Sequence, residues 1–173
     1  MVRRHKLLAS CGAALALAAV LAGCSSAGLT GASAYGSNTL QVAEISDIGD
    51  YTADRAIREA RGHFRNKNYG YSAALYKRAV ELQPGVAEGY VGLGASYDRL
   101  RRFDLADRVY DSLFKMTGGT VQYYNNVGYS QMLRGNLKAA YESFARARSM
   151  DPDNIVVENN LQILANAAAK ARA

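Results

Sequence analysis

Cys24 is the residue whose neighbours specify its chemistry most closely. It ends the tetrapeptide Leu21-Ala22-Gly23-Cys24, which follows a basic start and an uncharged apolar run over residues 7–22. Basic residues, an apolar run and small residues in this order are typical of a cleaved N-terminal segment. The run is shorter than the about 20 residues that cross a bilayer, so a retained membrane helix is the weaker alternative. We therefore interpret the start of the chain as a processing segment and not as part of the fold.

The same tetrapeptide resembles the lipobox of bacterial lipoproteins. The resemblance implies that residues 1–23 are a lipoprotein signal peptide, and that Cys24 is acylated and becomes the new N-terminus. The alternative is an ordinary secretory signal with an incidental cysteine. By analogy with the same family, Ser25 implies a lipid anchor in the outer membrane with the domain facing the periplasm, because an aspartate there favours the inner membrane.

Cleavage changes the charge and cysteine content. The full chain has a formal charge of +6, and loss of three basic residues and no acidic one leaves +3 (6 − 3). A chain this mildly basic gives no strong case for a nucleic acid partner. Cys11 leaves with the signal and Cys24 carries the lipid, so no disulfide forms within one mature chain. About 150 residues remain, enough for one domain.

Few other side chains could do chemistry. Outside the leader the chain has one histidine, His63, and no free thiol, which excludes most nucleophile and base pairs and the Cys/His metal sites. Asp104, Asp107 and Asp111 recur at helical spacing, but neighbouring arginines make a salt-bridged surface the simpler interpretation. We therefore expect no enzyme activity, no metal, no small-molecule substrate and no cofactor beyond the covalent lipid.

The elements that position these residues follow from composition and periodicity. Residues 25–49 are rich in Ser, Gly, Ala and Thr without helical periodicity, so we predict an acylated cysteine and flexible tether over 24–52. Apolar spacing and the positions of Pro84 and Pro152 then predict helices. Their ranges are 53–66, 69–82, 87–100, 103–116, 121–134, 137–150 and about 155–171.

Similar residues recur at a spacing of 34 along these helices. This period predicts a solenoid of stacked helix pairs, because one pair cannot bury its apolar face alone. Small residues form one row, where two helices approach most closely. The five rows are Ala60, Gly94, Gly128; Tyr69, Phe103, Leu137; Ser72, Ala106, Ala140; Tyr76, Tyr110, Phe144; and Leu82, Met116, Met150.

The repeat resembles the tetratricopeptide (TPR) family. Small, aromatic, Ala and Pro positions of that family recur in NYGYSAALYKRAVELQP, from Asn68 to Pro84. The resemblance implies an all-α fold in which residues 53–152 form three TPR helix-turn-helix units, a short right-handed solenoid. Residues 153–173 are then a capping helix and tail, since a solenoid needs a polar outer face at its end.

In the TPR family the first helix of each unit lines a concave groove that holds other proteins. The matching positions here are charged toward the first unit, and apolar with amide groups toward the third, which suits an extended or helical peptide. The alternative is an inner face that is merely solvated. The predicted groove residues are Ile57, Arg61, Phe64, Val91, Asp98, Asn125, Tyr129 and Met132.

With its lipobox, its tether and its three repeats, the chain is similar to the small TPR lipoproteins of pilus and secretion systems. Residues 124–130, 134–137 and 159–161 resemble the tight-adherence (Flp/Tad) pilus lipoprotein. The implied role is a pilotin-like assembly factor that binds a secretin or another pilus subunit. The first alternative is a lipoprotein scaffold for cell-envelope or peptidoglycan enzymes. The second is an enzyme on this scaffold, against which the missing catalytic residues argue.

Overall fold

Seven α-helices account for most of the structure, a computed structural model that describes residues 41–45 and 50–171. No strand occurs in this described part of the chain, in agreement with the all-α prediction. The helices are α1 (Ala53–Arg65), α2 (Tyr69–Leu82), α3 (Ala87–Arg99), α4 (Phe103–Thr117), α5 (Val121–Leu133), α6 (Leu137–Met150) and α7 (Ile155–Lys170).

The helices form three pairs, α1 with α2, α3 with α4 and α5 with α6, followed by α7. One repeat row supplies the N-caps of the first helix of each pair and of α7. Thr52, Thr120 and Asn154 each accept a hydrogen bond from the backbone N–H three residues later, at 3.3, 3.1 and 3.2 Å. Val86 occupies the same row before α3 and has no side-chain acceptor. Three of four starts are therefore capped in the same way.

The turn inside each pair also repeats. Lys67, Arg101 and Gly135 stand 34 residues apart and have φ of 62°, 58° and 82°. In each turn the residue after this position donates its N–H to the carbonyl five residues earlier, at 2.9 Å. This Schellman geometry requires a left-handed residue, which glycine adopts without the penalty that a Cβ brings. The chain therefore places two basic residues where glycine fits best.

The row of small residues sets how closely the helices of a pair approach. A Cβ on Gly94 would lie 2.6 Å from the Tyr110 ring, and one on Gly128 would lie 2.7 Å from the Phe144 ring. Both aromatic rings come from the second helix of the same unit. Glycine therefore leaves the space that each ring fills, and this packing offsets the up to about 1 kcal/mol that a helical glycine costs.

Residues 41–45 lie against α2, although the sequence places them in the flexible tether. The Ala43 N–H donates to the Gly70 carbonyl at 3.2 Å, and Val42 and Ile45 pack on the core of the first two units. Gly70 allows the approach, because a Cβ there would lie 2.1 Å from the Gln41 carbonyl oxygen. For residues 41–45 the tether prediction is therefore wrong. We call this stretch the docked segment.

Helix α7 closes the solenoid as the sequence predicts. Val157, Leu161 and Leu164 are buried in one apolar cluster with residues of α6. Glu158 and Gln162 stand one repeat after Tyr124 and Gly128, the positions that face α6 in the third unit, and both are exposed. Polar residues thus replace the surface on which a further helix would pack. Within the described residues, no helix is both long and apolar enough to cross a membrane.

Candidate functional site

Helices α1, α3, α5 and α7, with Tyr110 of α4, line a cavity of about 300 Å³. Four of the predicted groove residues, Phe64, Asp98, Asn125 and Tyr129, are among its walls. The other lining residues are Ala95, Arg99, Tyr110, Asn126 and Asn160. The structure therefore brings half of the predicted set together at one place, and we call this place the central cavity.

Arg99 is held in position by two tyrosine hydroxyls at the edge of this cavity. Its guanidinium donates to the Tyr129 Oη at 3.0 Å and to the Tyr69 Oη at 2.7 Å. It also lies 4.9 Å above the Tyr69 ring, which in turn meets Phe64 edge to face at 5.3 Å. No carboxylate among the described residues pairs with Arg99. The cavity therefore contains a fixed positive charge framed by aromatic rings, which can attract an anionic group.

Amide side chains form the opposite wall. The Asn160 Nδ2 of α7 donates to the Asn125 Oδ1 of α5 at 2.8 Å. Beside them the Asn126 Nδ2 is buried and has no hydrogen-bond partner among the described residues. A buried donor without an acceptor costs about 1–3 kcal/mol, so a ligand carbonyl that accepts from it would be favoured. Amides both donate and accept, which suits them to a peptide backbone.

The floor of the cavity is a buried polar network. The Asp98 carboxylate is 2% exposed and accepts hydrogen bonds from the Tyr110 hydroxyl at 2.8 Å and the Ser130 hydroxyl at 2.6 Å. Burial raises the pKa of Asp98, while these two hydrogen bonds and the positive Arg134 act against that rise. Arg134 donates to Ser130 at 2.9 Å and pairs with Asp107. The network joins α3, α4 and α5, so it fixes the second unit against the third.

One of the predicted groove residues is not available to a partner, and a second is almost fully buried. Ile57 is 5% exposed and belongs to the core of the first two units, so its assignment to the groove is wrong. Its side chain packs inward because the first helix of a unit must bury an apolar stripe. Asp98 lines the cavity but is 2% exposed, and each of its carboxylate oxygens accepts a hydrogen bond, so its contact with a client remains a prediction.

The remaining predicted residues lie on the surface outside the central cavity. Arg61 is exposed and pairs with Glu88 of α3. Val91 is half-buried against the core of the first two units, and Met132 is half-buried against the cluster of the third. Their role in binding remains a prediction, as does that of Phe64, Asn125 and Tyr129.

A second cavity, of about 370 Å³, adjoins the first, since Asn125 and Asn126 line both. Val156 of α7 and Gln122 of α5 line it as well. Sequence reasoning missed Asn126, Asn160 and Val156. Their signal was present, because Asn160 stands one repeat after Asn126, and Val156 one repeat after Gln122. The repeat rows that line the groove therefore continue onto α7, which the sequence predicts only as a capping helix.

The chemistry of this surface is that of binding. Among the described residues, no group of three or more His, Cys, Asp or Glu side chains could hold a metal ion. The two cavities instead present amides, tyrosine rings and one fixed guanidinium. These groups recognise peptide groups and side chains.

The helix pairs, their period and the capping helix define a TPR fold. Three solved structures of low sequence identity share it. The first TPR domain of human RPAP3 matches with a TM-score of 0.60 and 18% identity, over 69% of this chain and 94% of that one. The TPR2B domain of yeast Sti1, in a complex with pHsp70, matches with a TM-score of 0.59 and 19% identity, over 68% and 97%.

The third structure is the type III secretion chaperone SycD of Yersinia enterocolitica, in complex with a peptide of the translocator YopD. It matches with a TM-score of 0.56 and 13% identity, over 69% of this chain and 91% of that one. No family model matches the chain. Two of these neighbours are complexes with protein or peptide ligands.

Proposed function

We propose that this protein is a lipid-anchored TPR protein of the outer membrane whose groove binds a peptide segment of a client, as a pilotin-like assembly factor for a pilus or secretion apparatus. The observation that carries the binding role is the central cavity, where Arg99, Asn126 and Tyr129 present a charge, an unpartnered donor and an aromatic ring. A peptide can engage all three, because each matches a group that peptides have.

Two further observations support the envelope and assembly part of the proposal. Cys24 follows a leader of lipoprotein type, which lies outside the described residues. The type III secretion chaperone SycD, which shares the fold, is in complex with a peptide of the translocator YopD. A groove that holds one segment of a client, combined with a lipid on the same chain, gives that client a route to the membrane.

The test is crosslinking in intact cells, followed by detergent extraction and mass spectrometry of the captured proteins. Tyr129→Ala should reduce client capture, since loss of an anchor costs about 2 kcal/mol, or roughly thirtyfold in affinity. Tyr129→Phe keeps the ring and removes only the hydroxyl to which Arg99 donates. Comparing the two variants therefore distinguishes the effect of losing the ring on client capture from that of losing the hydrogen bond. Circular dichroism of each variant establishes that the helices remain.

The control is Arg108→Ala, because Arg108 is exposed on α4, a second helix outside the groove. Equal capture by Tyr129→Ala and Arg108→Ala would show that the groove does not bind the client. A secretin or pilus subunit among the captured proteins supports the pilotin-like role. Capture of cell-wall hydrolases instead would favour the scaffold for envelope enzymes.

A further inference from the structure

Three repeat rows of the groove change from charged to apolar as they pass from α1 to α7. One row reads Asp54, Glu88, Gln122, Val156. A second row reads Arg61, Ala95, Tyr129, Ile163, and a third Arg65, Arg99, Leu133, Ala167. Each row begins on an ionised side chain and ends on an aliphatic one. The groove therefore has two chemically different ends.

The aliphatic end lies on α7, on the side that faces the groove. Asn160 of this helix reaches into the central cavity and bonds Asn125, and Val156 lines the adjoining cavity. Val156, Asn160 and Ile163 are four and three residues apart, so they share one helical stripe. Val156 is 59% exposed and Ile163 is 50% exposed. Two β-branched side chains thus extend the groove without a partner.

The charged end lies where α1 and α3 finish. Arg65 is exposed and Arg99 edges the central cavity, and no carboxylate among the described residues pairs with either. The acids of these rows, Asp54 and Glu88, stand eleven residues before Arg65 and Arg99, about 16 Å away along each helix, and Glu88 pairs with Arg61. Helix α5 contains no charged residue. Positive charge is therefore concentrated at Arg65 and Arg99.

We propose that the groove binds an extended segment with an acidic side chain at Arg65 and Arg99, and an aliphatic side chain on Val156 and Ile163. This inference rests on the proposed function and specifies the client of the same groove. Successive first helices pack about 8–10 Å apart, so two or three steps separate the ends by roughly 16–30 Å. At about 3.3 Å per residue, an extended chain covers this distance in roughly five to nine residues.

The experiment is selection from a displayed library of random twelve-residue peptides on the full-length protein, purified in detergent. The enriched peptides should pair an acidic residue with an aliphatic one about five to nine residues away. A synthetic copy of one such peptide should bind at least tenfold more weakly to Arg65→Gln and to Ile163→Asn. The matched controls are Arg108→Gln and Met150→Asn, since Met150 is 46% exposed on α6, and both should bind as the wild type does.

A second peptide, in which serine replaces the aliphatic residue, shows whether Ile163 contacts that residue directly or whether Ile163→Asn weakens the binding of every peptide. Ile163→Asn should lower the affinity of the original peptide and leave that of the serine peptide unchanged. Equal losses for both peptides would overturn the inference, and so would enrichment of no peptide or of peptides without an acid.

Client capture in cells distinguishes failure of the two-ended specificity from failure of the proposed function. If Tyr129→Ala abolishes capture while Ile163→Asn and Arg65→Gln do not, the groove binds a client and the two-ended specificity is wrong. If Tyr129→Ala leaves capture intact, the proposed function itself fails.

Discussion

Asp98 has the least favourable environment of the charged side chains described here, because it is 2% exposed and no cation among the described residues forms a salt bridge with it. Hydrogen bonds from Tyr110 and Ser130 offset part of the cost of burying its charge. The carboxylate gives two donors from different helices a common acceptor. It therefore contributes more to the relative position of the units than to any contact with a client.

The raised pKa of Asp98 gives the stability a defined dependence on pH. Burial, the largest cause, places the folded-state pKa above the ordinary value of 3.8, so the folded protein holds this proton more tightly than the unfolded chain. The contribution of Asp98 is therefore fully present below pH 3.8 and is lost as the pH rises through the folded-state pKa. We expect the free energy of unfolding of the wild type, relative to Asp98→Asn, to fall across this window.

Urea denaturation of both proteins between about pH 4 and pH 7 measures this difference, because the variant cannot titrate at position 98. A difference that did not change with pH would mean that Asp98 has an ordinary pKa in the folded protein.

Gly94 tests the close packing inside one helix pair. Gly94→Ala should lower the free energy of unfolding by about 1–3 kcal/mol, because the new Cβ would lie 2.6 Å from the Tyr110 ring. That ring cannot move freely, since its hydroxyl is bonded to Asp98 at 2.8 Å. The matched substitution is Gly62→Ala in α1, where a Cβ would have nothing within 4 Å. It should instead raise stability by up to about 1 kcal/mol, so opposite signs are expected in thermal melts.

At the scale of the element, the N-cap row offers a substitution that adds a single hydrogen bond. Val86→Thr exchanges a methyl group for a hydroxyl at the start of α3, where the backbone is already extended as at Thr52 and Thr120. The free energy of unfolding should rise by about 0.5–1 kcal/mol. Chemical denaturation measures it, with Val86→Ala as the control that supplies no acceptor. If threonine and alanine gave equal stability, the row would not act as a set of caps.

The helices could be predicted from the sequence because several independent signals agree at each end. Predicted and observed starts coincide from α1 at Ala53 to α7 at Ile155, and the ends differ by at most one residue. The period of 34 fixes the register of every helix at once, so an error in one would conflict with the rest. The capping helix starts in the register of the same rows.

The groove could be predicted only in part, because a repeat row fixes a direction and not the depth of a side chain. Ile57 and Asn125 share one row, yet Ile57 lies in the core while Asn125 lines the central cavity. The burial of Asp98 could not be predicted from its row either, because its hydrogen-bond donors, Tyr110 and Ser130, lie on other helices. The docked segment had no periodic signal, as five residues are too few for one.

At the scale of the whole molecule, the proposed lipid on Cys24 would decide where the proposed binding surface works. Cys24→Ala should release the protein from the membrane fraction, because two or more acyl chains make anchoring stable where one is marginal. Cell fractionation, combined with mass spectrometry of the N-terminus, measures this. Ser25→Asp, which keeps the cysteine, is the control and should shift the protein toward the inner membrane. Membrane association of Cys24→Ala with an intact N-terminus would instead identify the apolar run as a retained anchor.

The docked segment has a mechanical consequence. Tension applied along the chain from its N-terminal side reaches the helices first through residues 41–45, and not through Thr52 at the start of α1. The bond from Ala43 to Gly70 and the packing of Val42 and Ile45 would carry that load. Their release would free residues 41–45, which at up to about 3.6 Å each add at most about 18 Å of reach. The first unit would keep its helices while the molecule extended under load.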